Sequence, residues 1–520
     1  MNFSSKTKPI FSSVISKPNI YFVFLMLFVT ASGFSSEKLS VKLISPTSRC
    51  VFDKTDSQKA ILEASGANGT SSVQIELARG KKGHRCPVQR TEISNKPYKP
   101  EGNNRIEIDF TLLETGYYHI MAKNVLGKKL GSWEITKYPY KKNSVLIRNG
   151  VPYYKGEPFL MLGLYHTSDP VIDIINTDNK KGVSSDRLTR DEMLKSVKER
   201  GFNTVHYSWY AGNKEFYQAA AEYGLMVVPE SRKELGNVAK LADQPNVFSW
   251  YALDEPDKSM KLTCTTLYDV YKQTEPYHPV MTAFSSRDPA AEFGNSRMVD
   301  IAVPDPYFIK GPDSDLSKIT DRVESCKKML NYDPTTCVFI APQLFTTTEG
   351  WNGFEPTYDQ VRSQVYTAII AGARGVFYYS YYTHEPLTEG MPKNPKRKYW
   401  FLPESNLWNS IANLNSELMS LKNAILLGKV CKGLEIKSDT KALAKALMLN
   451  DNVYLFAVNP TNEPQKDILF NCPAEWVKPA KLISDEMLEP GADGYRFSLK
   501  GYGVAVYRFD VLEKVFYMGG

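Results

Sequence analysis

The sequence predicts an α/β protein built around a (β/α)8 TIM barrel, flanked by an N-terminal immunoglobulin-like β-sandwich and a C-terminal antiparallel β-domain. Three observations predict this. Eight apolar runs of strand length recur between residues 144 and 428, most separated by a helical pattern. Several of these runs end in polar or aromatic residues, where barrel enzymes carry their chemistry, which favours a closed barrel over a doubly wound sheet. On either side of this region the pattern changes to alternation with a period of two, broken by Gly, Asn and Pro turns.

The elements follow in order. Lys6, Lys8 and Lys17 precede the apolar run at 20–29, and Ala31-Ser32-Gly33 follows with the spacing a signal peptidase accepts. Residues 1–33 are therefore expected to be a signal peptide, and the mature chain secreted or periplasmic. The run is short for a transmembrane helix, and no later segment reads as a membrane span. Residues 37–140 alternate at 71–77 and 105–110. The stretch 116–122, with its turn at 124–127, resembles the late hairpin of an immunoglobulin-like domain. No aromatic platform stands out there, so the domain is expected to buttress its neighbour.

Within 144–428 the eight expected strands are 159–166, 202–207, 225–230, 247–255, 280–283, 299–305, 337–343 and 375–380. A helical stretch at 406–427 leads into residues 429–515, where 452–459 and 503–509 alternate as strands of an antiparallel domain.

Composition bounds the function. The 520 residues are 42% hydrophobic and 23% charged, ample for large cores and unlike a disordered chain. Aromatic side chains suit stacking on sugar rings, although most serve as core. The net charge of +7 is spread along the chain, and the short basic runs at 79–82 and 393–398 accompany no nucleic-acid-binding motif, so nucleic acid is not an expected partner. Seven cysteines fit an exported protein. Pairing within the expected domains would join Cys50 with Cys86, Cys326 with Cys337 and Cys431 with Cys472, leaving Cys264. No cysteines sit at metal-ligand spacing and only six His occur, so neither metal nor cofactor is expected. Asn68 heads a glycosylation sequon. The oligomeric state is not legible.

The chemistry concentrates at Trp250-Tyr251-Ala252-Leu253-Asp254-Glu255-Pro256, the end of the fourth expected strand. Neighbours on a strand face opposite sides, so Asp254 and Glu255 aim at one spot only if the strand bulges. Taken alone, such a pair more often caps the next helix.

In context the chain resembles the clan of retaining (β/α)8 glycoside hydrolases that includes β-galactosidases, β-glucuronidases and cellulases. Members carry an acid/base Glu before Pro at the end of the fourth strand, usually as Asn-Glu-Pro; here Asp254 takes the Asn place. The segment at 149–159 is similar to the clan's entry hairpin, and 502–507 to the end of its β-sandwich appendages. The resemblance spans roughly 144–510. It implies that Glu255 is the general acid/base and that Asp254 orients Glu255 or bonds near the sugar's 2-position.

The resemblance also implies a nucleophilic Glu at the end of strand seven, where this chain has Gln343. An amide does not replace a carboxylate there. Asp305, after strand six, is the leading substitute; Glu349 and Glu385 in later loops are two others. A relative that binds sugar without cleaving it is the fourth possibility. Tyr165, His166, His206, Tyr207, Trp209, Glu230, Tyr307, Gln343 and Tyr379 to Tyr382 follow barrel strands and form an expected sugar-binding ring. The expected protein is a secreted glycosidase acting on a poly- or oligosaccharide, with an inactive carbohydrate-binding relative as the alternative. No Gly-x-Ser-x-Gly elbow or His-rich metal set supports another hydrolase class.

Overall fold

The computed structural model describes residues 40–510 apart from 47, 53–57, 66–72, 81–104, 125, 180–186, 209–212, 231–234, 295–296, 346–353, 384–399, 432–435, 438–439, 472–479, 485–487 and 492–493. The expected signal peptide, Asn68, Cys86, Trp209, Glu349, Glu385 and Cys472 lie outside the described residues. The chain divides into two compact units, the first ending at Pro139 and the second taking in the short segment Ser45–Ser48 as well as everything from Tyr140.

The first unit consists of two sheets. One joins Cys50–Phe52, Lys129–Tyr138, Gly116–Asn124 and Val73–Gly80 in that order; the other joins Ser40–Ser45, Lys59–Ser65 and Arg105–Asp109. Alternation decides which face is covered. In Arg105–Asp109, Ile106 and Ile108 are buried while the charged residues between them are exposed. Ile106 and Ile108 share one core with Leu62, Ile75, Leu77, Ile120 and Ile135. Lys137 is buried beside it, and its ammonium donates to the carbonyls of Phe110 (2.8 Å) and Leu113 (2.7 Å), which offsets the cost of taking a charge out of water.

The second unit contains the barrel. Its eight strands are Met161–Leu164, Thr204–Tyr207, Met226–Pro229, Trp250–Leu253, Val280–Phe284, Ile301–Pro304, Cys337–Val338 and Gly375–Tyr378. Strands eight, one, two and three form one parallel ladder, and strands four to seven form another. Isolated parallel bridges close the ring: Val227 with Val247 and Glu230 with Tyr251 on one side, Ile340 with Val376 and Gln343 with Tyr379 on the other. A helix follows every strand, from Asp169–Asn179 after the first to Leu407–Ser420 after the eighth.

The apolar runs are continuous because both faces of each strand are covered. Met161, Tyr165, Val228, Tyr251, Met281, Val303, Phe339 and Phe377 fill the barrel interior. Leu162, Leu164, Val205, Val227, Trp250, Val280, Ile340 and Val376 pack outward beneath the helices. Gly163 is required by this filling, since a Cβ there would stand 2.7 Å from the Phe377 ring. The hairpin of Val145–Arg148 and Val151–Tyr154 contributes Val145 and Ile147 to the interior cluster.

Beyond the barrel, a five-stranded antiparallel sheet built around Asn452–Val458 and Val504–Asp510 has a second sheet of four strands beside it. Phe456, Val458, Val504 and Val506 join the barrel's outer core. The Ser363 hydroxyl donates to the Asn459 carbonyl at 3.1 Å, and Lys445 donates to the Ile370 carbonyl at 2.6 Å.

One expected disulfide is corrected. Cys326 and Cys337 both carry free thiols. Cys326 packs in the layer between helices and strands, whereas Cys337 faces the barrel interior, so the barrel wall separates them. No described helix is long and apolar enough to cross a membrane.

At the opposite end of the strands from the loops that carry the candidate chemistry, Lys272 and Asp300 form a buried ion pair at 3.0 Å. Asp300 also accepts from the Tyr268 hydroxyl at 2.6 Å and the Val280 amide at 2.9 Å. Removing one partner leaves the other charge buried. Lys272→Met is therefore expected to cost about 3–5 kcal/mol, read as a lower urea midpoint at unchanged slope. A loss well below about 1 kcal/mol would show that the pair contributes nothing net.

Candidate functional site

The site begins with an irregularity in strand four. Tyr251 is opposite Met281, but Leu253, two residues on, is opposite Thr282, so one extra residue is taken up at Ala252. This is a β-bulge, which bends a strand and re-aims the side chains beyond it. Glu255 then adopts a left-handed backbone at φ 45, and its amide donates to the Ala283 carbonyl at 3.2 Å. For a residue with a Cβ this conformation costs on the order of 1 kcal/mol. The two devices place Asp254 and Glu255 together at the exposed mouth of the barrel, while Pro256 turns back into the protein.

Each carboxyl has its own support. Asp254 accepts from the Tyr251 hydroxyl at 2.5 Å, and Tyr251 in turn accepts from the Tyr165 hydroxyl at 2.6 Å. Both tyrosines are buried, and burial raises their hydroxyls well above the ordinary range, so they stay protonated donors. Glu255 is in hydrogen-bonding contact with Asp305, at the end of strand six.

Asp305 is only 6% exposed. Burial is the main cause that holds its carboxyl well above the usual range; the hydrogen bond and negative charge of Glu255 add to this, and Asp254 contributes less. The protonated form of Asp305 is thus favoured over its carboxylate. Its Oδ1 has no hydrogen-bond partner among the described residues. Two carboxyls in contact oppose double ionisation, because like charges repel most at short range.

Aromatic rings wall the mouth. The Tyr379 ring lies 5.3 Å from Tyr165, 5.2 Å from His166, 5.6 Å from Tyr307 and 5.4 Å from Phe345. His166 also has a left-handed backbone, φ 56, and its Nδ1 lies 2.8 Å from the Tyr382 carbonyl. The peptide between Tyr379 and Ser380 is cis. His206 is buried, with Nδ1 3.1 Å from the Ser208 hydroxyl and Nε2 3.8 Å from Glu230, itself buried after strand three.

Strands one, two, three, four, six and eight therefore bring Tyr165, His166, His206, Glu230, Asp254, Glu255, Asp305, Tyr307 and Tyr379 to one end of the barrel. Tyr207 is directed away from them, into the layer outside the barrel wall. Gln343 reaches the same end but is committed to backbone. Its Nε2 donates to the carbonyls of Ile309 (3.1 Å) and Phe345 (3.2 Å), and its Oε1 accepts from the Ile309 amide (3.3 Å). The side chain clips the strand-six loop to strand seven.

Sequence reasoning missed Tyr251 and Phe345 as parts of the site. Tyr251 sits three residues before Asp254, a spacing that carries no signal on a regular strand and brings the two together only because the strand bulges. Among the described residues, no group of three or more His, Cys, Asp or Glu is arranged to hold a metal.

No protein-family profile matches the chain. A stretch of 101 residues is 31% identical to a β-galactosidase of Oenococcus oeni; it makes up 19% of this chain and spans 9% of that protein. The chain is similar to solved glycoside hydrolases. One is a family 5 glycoside hydrolase from Bacteroides vulgatus, at 16% identity and a TM-score of 0.47, covering 73% of this chain and 95% of that one. Another is a GH2 β-galacturonidase from Eisenbergiella tayi, at 11% identity and a TM-score of 0.38, covering 69% of each chain.

Two outcomes are expected from this geometry. Below pH 3.8 the Asp305 carboxyl is protonated in both folded and unfolded chains. Above that value the unfolded chain releases the proton and the folded chain keeps it, so stability falls, by about 1.4 kcal/mol per pH unit, until the raised folded value is reached. Asp305→Asn, which still offers Glu255 an N–H, should flatten this fall in denaturant midpoints taken from about pH 4 to pH 7; an unchanged slope refutes a protonated Asp305. Gln343→Glu sets a carboxylate oxygen against two carbonyls. It should destabilise by about 1–3 kcal/mol in the same assay, and a gain in stability would show that the clip is not formed.

Proposed function

We propose that the barrel mouth is a glycosidase site that hydrolyses O-glycosidic bonds of a poly- or oligosaccharide, with Glu255 as the general acid/base. The observation that carries this reading is the contact between Glu255, held left-handed at the bulged end of strand four, and Asp305, whose protonated form burial favours. Glycoside cleavage needs a proton delivered to the leaving oxygen and a carboxylate for the other half of the reaction. A pair whose buried member favours its protonated form meets the first need. Glu255, exposed to the mouth, passes the proton to the glycosidic oxygen as the bond to the anomeric carbon breaks. Asp305, buried behind it, replenishes it. Water adds its hydroxyl to the anomeric carbon, and its remaining proton returns to the pair.

Carboxyls in direct contact are closer than the ~5–5.5 Å of retaining or the ~6.5–9.5 Å of inverting enzymes. In this state Asp305 is therefore on the same side as Glu255. The group that faces the opposite side of the sugar is sought among Asp305 after the pair separates, Glu349 and Glu385. Tyr165, His166, His206, Tyr307 and Tyr379 would supply the sugar's stacking and hydroxyl contacts, and Asp254 the orientation of Glu255. Trp209 joins this proposed ring on sequence grounds.

A second reading, a carbohydrate-binding protein of the same fold without turnover, is favoured by Gln343, whose amide is spent on backbone at the strand-seven end. In either reading we take residues 1–33 as a signal for export, 37–140 as an immunoglobulin-like buttress, 144–428 as the barrel and 429–515 as a C-terminal β-sandwich.

On a broad panel of glycoside substrates, Glu255→Gln should lower turnover by at least about a hundredfold with an unchanged thermal transition. Full activity in that variant sinks the assignment of Glu255. A wild-type chain that retains glycans but cleaves none selects the second reading.

A further inference from the structure

The segment between strand six and its helix, residues 305–318, is neither strand nor helix, yet it carries Asp305 and Tyr307 to the mouth. The strand-six ladder ends at Pro304, and the Asp305 amide reaches the Phe284 carbonyl only at 3.3 Å, long for a backbone bond. Past that point the loop places the side chains. Tyr307 follows, with its ring 5.0 Å from Phe345 and 5.6 Å from Tyr379. The near end of the loop is held by the Gln343 clip at Ile309. The far end is held from the C-terminal β-domain. The Tyr502 hydroxyl donates toward the carbonyls of Pro312 and Ser314, each at 2.7 Å. Beside it, the Leu316 amide donates to the Pro460 carbonyl at 2.9 Å, and the Asn462 side-chain amide to Asp313 at 2.7 Å. Gln360 bridges the two ends, donating to the Gly311 carbonyl at 2.8 Å.

Tyr502 is held rigidly for this contact. It is buried and has a left-handed backbone, φ 55, uncommon for a residue with a Cβ. Its amide donates to the Thr461 carbonyl at 2.8 Å, and the Asn459 amide to the Gly503 carbonyl at 2.9 Å. The buried Asn459 side chain donates to the carbonyls of Glu463 (2.8 Å) and Lys500 (2.9 Å). A Cβ on Gly501 would stand 2.1 Å from the Asn462 carbonyl oxygen, so the two turns close on each other without a gap. The turns at 459–463 and 500–503 are thus locked together within the C-terminal domain, and the lock aims one hydroxyl at the loop.

We infer that Tyr502 is a positioning residue for the barrel mouth: from the C-terminal domain, its hydroxyl fixes the far end of the strand-six loop and with it the placement of Asp305 and Tyr307. This rests on the reading of the mouth as a glycosidase site and adds to it a residue that touches no substrate. A shift of roughly 1 Å in a reacting group is enough to lower turnover by about a hundredfold, so a tether at this distance can matter to the chemistry.

The variant that tests it is Tyr502→Phe, which removes the hydroxyl and keeps the ring packed. Hydrogen exchange of the full chain should become about tenfold or more faster across residues 306–316, while Asn452–Val458 and Val504–Asp510 exchange as in the wild type. On a glycoside that the wild type cleaves, kcat should fall about tenfold or more with KM changed less than about twofold. Lys500→Ala breaks the 2.8 Å ion pair between the same turn and Asp359 without touching the loop, and should match the wild type in both readouts. Unchanged exchange in the loop overturns the inference. So does faster exchange that spreads through the C-terminal sheet, a kcat loss that Lys500→Ala reproduces, or a loosened loop at full kcat. A wild-type chain that cleaves no glycoside overturns the glycosidase reading and the positioning role with it, while the exchange result still decides whether Tyr502 holds the loop.

Discussion

The contact between Asp305 and Glu255 organises the mouth of this barrel. Asp305 is buried deeply enough that its ionised form is disfavoured, and Glu255 is close enough to make double ionisation worse. The surrounding irregularities serve this contact. Without the bulge at Ala252, Asp254 and Glu255 would project to opposite faces of the strand. Without the left-handed turn at Glu255, its carboxyl would follow the strand direction and miss strand six. The buried hydroxyl of Tyr251, itself bonded by Tyr165, donates to Asp254 and so supports another carboxyl beside the pair.

Much of the barrel was legible because a buried parallel strand has a strong signature: a short apolar run with no alternation, ended by polar residues. The strand ends were legible for the same reason, so Tyr165, His166, His206, Glu230, Glu255, Asp305 and Tyr379 were singled out before any geometry was known. The features that escaped are those that depend on a departure from regular structure. Pleat geometry said only that Asp254 and Glu255 needed a bulge; whether strand four has one is decided by its packing against strand five. Gln343 looked like a sugar ligand because of where it stands, but its hydrogen bonds go to Ile309 and Phe345, and a backbone carbonyl leaves no trace in side-chain spelling. The Cys326 and Cys337 pairing failed in a related way: eleven residues of separation say nothing about which side of a barrel wall each thiol occupies.

The mouth is uneven in charge and polarity. Carboxyls arise from strands three, four and six, and most rings from strands one, seven and eight with their loops. A ligand entering there meets apolar faces on one side and ionic groups on the other. That is the division expected of a site that must grip the flat face of a ring while polarising one bond at its edge.

The barrel wall itself is divided. Its eight strands form two continuous ladders joined along two seams, between strands three and four and between strands seven and eight. Glu255 and Asp305 rise from the same ladder, whereas Tyr165, His206 and Tyr379 rise from the other. Breathing of the wall would concentrate at the seam between strands three and four, crossed by the Val227 and Phe248 amides, because the amides of Ile340, Phe377, Tyr379 and Leu344 stitch the seam between strands seven and eight. Such a motion would vary the gap between the aromatic half and the ionic half like the jaws of a vice. The Glu255–Asp305 pair, carried entirely on one jaw, would keep its geometry while the other adjusts to the thickness of the ligand it grips.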